Sequence, residues 1–140
     1  MERHNSSALE VAKFLEAHPK VIKVSHPLLP SSPYQTLASR QNGGRHSGMI
    51  AFYLDGGREE AVKFLDRIRI VQRAASLGGT HSLACHPCSL THVMVIKSVV
   101  SGKFCNKIKK RRGFRANSNC TIQYNHALNA NKTNIKHEFM

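Results

Sequence analysis

Four side chains that could bind a metal ion lie within twelve residues of this sequence. His81, Cys85, Cys88 and His92 follow the spacing H-x3-C-x2-C-x3-H. Two thiolates and two imidazoles form the ligand set of many structural zinc sites. The spacing therefore raises a zinc site as one hypothesis, although a Gly-Gly pair at residues 78–79 indicates a turn just before it.

The arrangement of these four residues argues against a zinc site. Zinc sites with a C-x2-C pair usually take their other ligands from a more distant segment. If residues 81–86 form a strand, His81 and Cys85 point to one face, but Pro87 breaks the alternation before Cys88. We therefore predict no metal ligands here, and zinc remains an alternative that one bound zinc per chain would establish.

A second group of residues could bind nucleic acid. The segment KIKKRRGFR, residues 107–115, contains six Lys or Arg residues, and Lys103 lies just upstream. Such clusters bind phosphates or act as nuclear-import signals. Phe114 is the one aromatic side chain inside the cluster that could stack on a base. We interpret the cluster as a solvated basic segment, with nucleic-acid binding as an alternative of another class.

Charge divides the chain of 140 residues into two parts near His92. Of the net charge of +13, residues 1–92 supply +4, from 11 Lys/Arg and 7 Asp/Glu, and residues 93–140 supply +9, from 10 and 1. Asparagine changes at the same place, with seven residues in the second part and two in the first. We predict a folded domain over 1–92 and a disordered, Asn/Lys-rich basic tail over 93–140.

The chain shows no signal for a membrane or for secretion. It has no run of eighteen apolar residues, and its start, MERHNSSALE, lacks the apolar core of a signal peptide. Four cysteines without such a signal indicate reduced thiols rather than a disulfide framework. We expect a cytoplasmic protein without a membrane partner.

Apolar periodicity predicts an α+β domain. Ser7 and Glu10 have the spacing of a capping box, and the helix they would start should stop before Pro19. Residues 48–55 are nearly all apolar, which indicates a strand buried on both faces. The other expected elements are strands at 21–25, 68–71 and 81–86, helices at 34–41 and 58–69, and an exposed proline loop at 26–33. Residues 1–92 contain no P-loop, GxGxxG fingerprint, G-x-S-x-G elbow or HExxH helix.

The stretch SLGGTHSLACHPCSLTH resembles the C-terminal domain signature of the cysteine and methionine metabolism family of pyridoxal-phosphate (PLP) enzymes. This family includes cystathionine γ-lyase, cystathionine γ-synthase, cystathionine β-lyase and methionine γ-lyase. Its members carry a similar S-L-G-G-x-x-S-L segment followed by a proline and a Thr-His pair. The matching positions are Ser76, Leu77, Gly78, Gly79, Ser82, Leu83, Pro87, Thr91 and His92. The resemblance covers roughly residues 4–92, including the segments VAKFLE and SGMIAFYLDGG.

The resemblance implies a fold and a reaction. The fold would be the small C-terminal domain of a fold-type I PLP enzyme, a short and mostly antiparallel sheet covered by helices. The reaction would be that of a PLP-dependent carbon-sulfur lyase of transsulfuration, acting on sulfur amino acids and most like cystathionine γ-lyase. Methionine γ-lyase, cystathionine γ-synthase and cystathionine β-lyase are the alternatives within the family. Full-length members form homotetramers.

Two substrate-binding residues follow from the same resemblance. The serine of the S-L-G-G turn lies beside the cofactor lysine and the substrate carboxylate, a role that carries over to Ser76; Thr91 occupies a position on the same side. Without the resemblance, Ser76 would be interpreted as a turn residue, and Thr91 could equally be a strand-end hydroxyl that caps the following turn. The residue before the serine is often glutamate in γ-lyases and γ-synthases, but here it is Ala75, which is closer to methionine γ-lyases. Cys85 stands where relatives often have a polar side chain near the distal end of the substrate.

The likeness stops after His92. The family continues with an arginine in an L-I-R-L-S-V-G context that binds the substrate carboxylate, and its cofactor lysine lies in an N-terminal domain that this sequence does not include. We therefore expect PLP to be bound by that other domain, and the isolated chain to be inactive, with no catalytic or cofactor-binding residue of its own. We interpret residues 93–140 as a non-homologous tail from a truncated or alternatively spliced gene, which the transcript sequence would test.

Overall fold

The computed structural model describes residues 2–90 and 121–125. This part of the chain contains four helices and five strands. The five strands form one sheet, and the helices belong to the layer that covers it. The helices are α1 (Glu2–Glu16), α2 (Gln35–Asn42), α3 (Arg58–Arg67) and α4 (Pro87–Leu90). The strands are β1 (Val21–Ser25), β2 (Met49–Leu54), β3 (Gln72–Arg73), β4 (Leu83–Cys85) and β5 (Thr121–Asn125).

The sheet has the strand order β1-β2-β5-β4-β3. The pairs β1/β2, β2/β5 and β4/β5 are antiparallel, and the edge pair β3/β4 is parallel. The sequence prediction of an α+β domain with a short, mostly antiparallel sheet is therefore confirmed.

Helix α1 supplies much of the buried core. Ala8, Val11, Ala12 and Leu15 recur at helical spacing and are all at most 1% exposed. The helix ends at Glu16, as the following proline requires. The predicted capping box is wrong, because the helix already begins at Glu2 and Ser7 is buried inside it.

One face of the sheet meets this helix. Ile50 and Phe52 of β2 point to the same face and are at most 1% exposed. Phe64 of α3 packs edge-on against Phe52, with ring centroids 5.8 Å apart. The opposite face of β2 is half-buried, at Met49 and Ala51, so the expectation of a strand fully buried on both faces is only partly met.

Strand β5 corrects the prediction that all of residues 93–140 form a disordered tail. Residues 121–125 lie at the centre of the sheet, paired with β2 on one side and β4 on the other. The physical reason is the alternation in TIQYN, which puts Ile122 and Tyr124 on the core side of the strand, both 0% exposed. The remaining residues of the predicted tail lie outside the described residues.

Two local predictions also differ from the structure. The loop at 26–33 was expected to be exposed, but His26, Leu28 and Leu29 are buried because the loop packs against the core. The strand expected at 68–71 begins instead at Gln72. The Gln72 amide donates to the carbonyl of Ser82, and this hydrogen bond places the strand beside β4.

Candidate substrate cavity

A cavity of about 290 Å³ lies between residues 74–77 and the sheet. The strands β2, β4 and β5 contribute its inner wall. Its described lining residues are Met49, Ala74, Ala75, Ser76, Leu77, Leu83, Cys85 and Tyr124. Ala75, Ser76 and Leu77 are exposed, whereas Leu83 and Cys85 are buried. The predicted substrate residue Ser76 therefore lies at the mouth and Cys85 at the inner end.

Backbone hydrogen bonds hold the segment of Ser76 beside β4. The Ala74 amide donates to the Ala84 carbonyl over 3.2 Å, which continues the β3/β4 pairing by one residue. Beyond Ser76 the chain turns at Gly78, whose φ of 76° is in the left-handed region that favours glycine. The sequence S-L-G-G thus places a hydroxyl between a fixed strand end and a tight turn.

The polar groups of the cavity wall are neutral at ordinary pH. Burial raises the pKa of the Cys85 thiol, so this side chain stays protonated. Ser76 adds a hydroxyl that can donate to or accept from a ligand. None of the described lining residues is an acidic or basic residue, so the wall offers a mainly apolar surface with two hydroxyls, from Ser76 and Tyr124, and one thiol.

A serine-histidine pair lies next to this cavity. His86 follows Cys85 directly, is 2% exposed, and its Nδ1 lies 2.7 Å from Ser89 Oγ in α4. Burial lowers the pKa of His86, and the positive charges of Arg58 and Arg73 lower it further. His86 is thus a neutral ring that fixes the start of α4, and it does not line the cavity.

The comparison with known proteins decides the family. Residues 1–103 match the Cys/Met metabolism PLP-dependent enzyme family. The chain belongs to that family. The match confirms the resemblance predicted from the S-L-G-G stretch and its upstream helix and strands, and pyridoxal phosphate is the cofactor of this PLP-dependent family.

Curated relatives within the PLP-dependent family include two kinds of lyase. The chain is 49% identical over 92 residues to the L-methionine gamma-lyase of Pseudomonas deceptionensis, covering 66% of this chain and 23% of that enzyme. It is 47% identical over 98 residues to the cystathionine gamma-lyase of Sus scrofa and 43% identical over 98 residues to that of Homo sapiens. The chain spans about a quarter of the length of the curated relatives it matches.

The cavity does not fit the anchoring of the family's cofactor by itself. A PLP enzyme holds the cofactor aldehyde on a lysine amine. The described lining residues contain no lysine and no cation for a phosphate.

The remaining predicted site residues fall at the limits of the structure. Thr91 and His92 lie outside the described residues, as does the basic cluster 107–115. His81 is exposed and Cys85 is buried in β4, so the structure does not bring this pair of proposed zinc ligands to one surface. Among the described side chains, which do not include that of Cys88, no three His, Cys, Asp or Glu residues form a group that could hold a metal ion.

Three of the four described cavity residues on the strands were not anticipated as site residues from the sequence: Met49, Leu83 and Tyr124. Met49 and Leu83 sit in predicted strands, and the apolar alternation of those strands was the signal that could have placed them on one face. Tyr124 was missed because it lies in the region interpreted as a tail. A second cavity, of about 260 Å³ between α1 and α3, contains none of the predicted site residues.

No helix within the described part of the chain has the length and apolar character needed to cross a bilayer.

Proposed function

We propose that this chain is part of a PLP-dependent enzyme that acts on carbon-sulfur bonds of sulfur amino acids, most like a cystathionine γ-lyase. The observation that carries the proposal is the position of Ser76, at the mouth of the cavity in a chain that belongs to the PLP-dependent family. The family supplies the reaction class, and the cavity supplies a place for the substrate.

Ser76 would bind and orient the substrate. Its exposed hydroxyl can donate a hydrogen bond to a carboxylate oxygen, and Gly78 and Gly79 leave the adjoining backbone open to a close approach. Thr91 would act on the same side of the substrate. The chemistry on the carbon-sulfur bond is supplied by the cofactor when it is bound on another domain.

The proposal also concerns the domain organisation and assembly of the protein. Residues 1–92 would be a partial C-terminal domain of the fold-type I class, joined near His92 to a segment of different origin. The isolated chain would be inactive, and the complete enzyme would be a cytoplasmic homotetramer. The charge and asparagine content, which change near residue 92, support the boundary, whereas the family match extends to residue 103.

Methionine γ-lyase activity is the second candidate. Ala75 favours it, because this small neutral residue at the cavity mouth offers no partner for a substrate that ends in an ammonium group.

Complementation tests the proposal. The full chain is mixed with the Pseudomonas deceptionensis methionine gamma-lyase lacking the quarter that this chain matches, with pyridoxal phosphate and L-methionine or L-cystathionine. We expect thiol release from the mixture and none from either part alone. A folded mixture that binds the cofactor and releases no thiol from either substrate contradicts the proposed function.

A further inference from the structure

The cavity of about 260 Å³ between α1 and α3 combines an apolar floor with a charged rim. Leu15 and Phe52 form the floor and are at most 1% exposed. Phe64 of α3 packs edge-on against Phe52 and adds a second aromatic surface. The cavity borders Leu54, at the opposite end of β2 from Met49 of the candidate substrate cavity. Its floor suits a small apolar group that leaves water.

Helix α3 turns one side towards this cavity. Four lining residues have the i, i+3, i+4 and i+7 spacing of a single helix face: Glu60, Lys63, Phe64 and Arg67. Lys20, just before β1, adds a third cation to the rim. All three cations are exposed, and none of them makes a salt bridge with a described residue. The rim therefore offers positive charge to a ligand.

The two carboxylates of the rim do not cancel that charge. The Glu60 carboxylate accepts a hydrogen bond from the Gly57 amide over 2.7 Å, so it is held at the start of α3. Asp55 is exposed, and its side chain has no hydrogen-bond partner among the described residues. The rim thus has more cations than carboxylates, and the backbone already binds one of the two carboxylates.

His18 supplies a further donor beside the cations. Its Nδ1 accepts from the Lys20 amide over 3.2 Å, so the neutral ring carries its proton on Nε2. An Nε2–H can donate to a carboxylate oxygen, and the guanidinium of Arg67 can bind a carboxylate through two parallel hydrogen bonds. The donors of the rim therefore match a carboxylate better than they match a neutral group.

We propose that the cavity between α1 and α3 is a binding site for a small organic anion, a carboxylate joined to an aromatic or branched aliphatic group. The apolar group lies on Leu15, Phe52 and Phe64, and the carboxylate meets Lys63 and Arg67 at the rim. The volume equals the liquid volume of about nine water molecules, which suits one ring with a short acidic chain. The site goes beyond the proposed function, because the described lining residues of the two cavities do not overlap.

Two matched ligands test the site without any cofactor. 3-Phenylpropanoate and 3-phenylpropanamide have the same size and differ by the negative charge. Each is titrated into the isotope-labelled full chain, and the backbone amide shifts of Val21, Leu54 and Lys63 report binding. We expect saturable shifts with the acid, at least about tenfold weaker binding of the amide, and no shift at Ala75 or Leu77. Added salt should weaken the binding of the acid.

Charge substitutions at the rim provide the second measurement. The double variant Lys63→Gln/Arg67→Gln should bind 3-phenylpropanoate at least about fivefold more weakly. Lys13→Gln/Arg40→Gln removes the same two kinds of charge from exposed positions outside the cavity and should leave the affinity unchanged. Asp55→Asn should strengthen binding, because it removes a like charge from the rim.

Three results would overturn the proposed site. They are equal affinity for the acid and the amide, no saturable shift at the three reporting amides, and an equal loss of affinity in the two double variants. Because binding is measured on this chain alone, thiol release in the complementation experiment, or its absence, does not change the outcome.

Discussion

Tyr124 of β5 pairs in register with Ile50 of β2, and the two side chains are 0% and 1% exposed. On its other side, Tyr124 pairs with Ala84 of β4. The five residues of β5 therefore supply the backbone hydrogen bonds that join the β1/β2 pair to the β3/β4 pair in this sheet. A segment predicted from composition to be a tail is a central part of the fold.

Ile122→Ala should destabilise the whole domain. Ile122 is 0% exposed and packs into the core on the α1 side of the sheet. Loss of a buried isoleucine side chain costs about 2–5 kcal/mol, because a cavity remains. Urea denaturation measures the change. Leu37→Ala, at a side chain 42% exposed on α2, is the control and should change the free energy of unfolding by less than about 1 kcal/mol. Equal effects would mean that β5 does not stabilise the fold.

Ser76→Ala should weaken catalysis in the complemented enzyme without affecting stability. A hydrogen bond to a charged group contributes about 1.5–3 kcal/mol, so kcat/KM should fall about 10- to 150-fold. The thermal midpoint should stay within a degree or two, since Ser76 is exposed. Ser6→Ala, at an exposed serine on α1, is the matched control. If Ser76→Ala retains full activity, the substrate contact is wrong.

Stability should fall as the pH is lowered from about 6.5 to 4, because of His26. Burial, together with the positive charge of a protonated His46, lowers the pKa of His26 to about 4. Between the usual pKa of histidine and this lowered value, the unfolded chain binds more protons than the folded chain does. The stability contributed by neutral His26 is therefore fully present above the usual pKa and is lost as the pH falls towards the lowered pKa. At about 1.4 kcal/mol per pKa unit, the loss approaches about 3 kcal/mol near pH 4.

His26→Gln should flatten this pH dependence, although it also weakens the acceptor for the Leu28 amide and lowers stability at neutral pH. Urea titrations from pH 4 to pH 8 measure the slope. The His81→Gln variant removes an exposed histidine and serves as the control. An unchanged slope in His26→Gln would assign the pH dependence to other groups, among them His86, whose lowered pKa acts in the same direction.

Gly56→Ala should destabilise the start of α3 more than Gly43→Ala destabilises the end of α2. Gly43 has a φ of 58° and open space around it. An alanine there costs only the strain of the left-handed backbone conformation, about 1–2 kcal/mol. At Gly56, with a φ of 128°, an added Cβ would also lie 2.6 Å from Glu60 Cγ. Thermal melts of both variants give the comparison.

The double variant Gly56→Ala/Glu60→Ala separates the two causes. Removing the Glu60 side chain relieves the contact with the new Cβ, although it also removes the carboxylate that accepts from the Gly57 amide over 2.7 Å. We expect the two substitutions to cost less together than the sum of their separate effects. Strict additivity would mean that the contact with Glu60 Cγ contributes nothing.

The sequence predicted elements whose signals are local. Residues 21–25 form β1 as expected from their β-branched side chains, and the apolar stripe of α1 was visible from its spacing. Burial of His26 and Leu29 was missed, because a proline-rich loop shows its turns in its composition but not what packs over it. Strand β5 had only its alternation as a signal, since its partners β2 and β4 lie 72 and 40 residues away, at the pairs Ala51/Gln123 and Ala84/Tyr124.

The candidate site was predictable in part, for the same reason. Ser76 and its glycine turn could be identified because a contiguous segment carries them. The cavity could not, because it forms only where Met49 of β2 and Leu83 of β4 come together with the turn. Sequence spacing carries little information about such distant contacts.

The central position of β5 also determines the order in which this domain can assemble. The hairpin-like pairing of β1 with β2 and the β3/β4 pair can form from nearby residues, but their junction requires residues 121–125. During synthesis, a chain that already includes β2 and β4 but not yet β5 exposes one edge of each strand without its partner. Completion of the sheet would then be the late and slow step of folding, and the interval before it is when this chain is most exposed to aggregation.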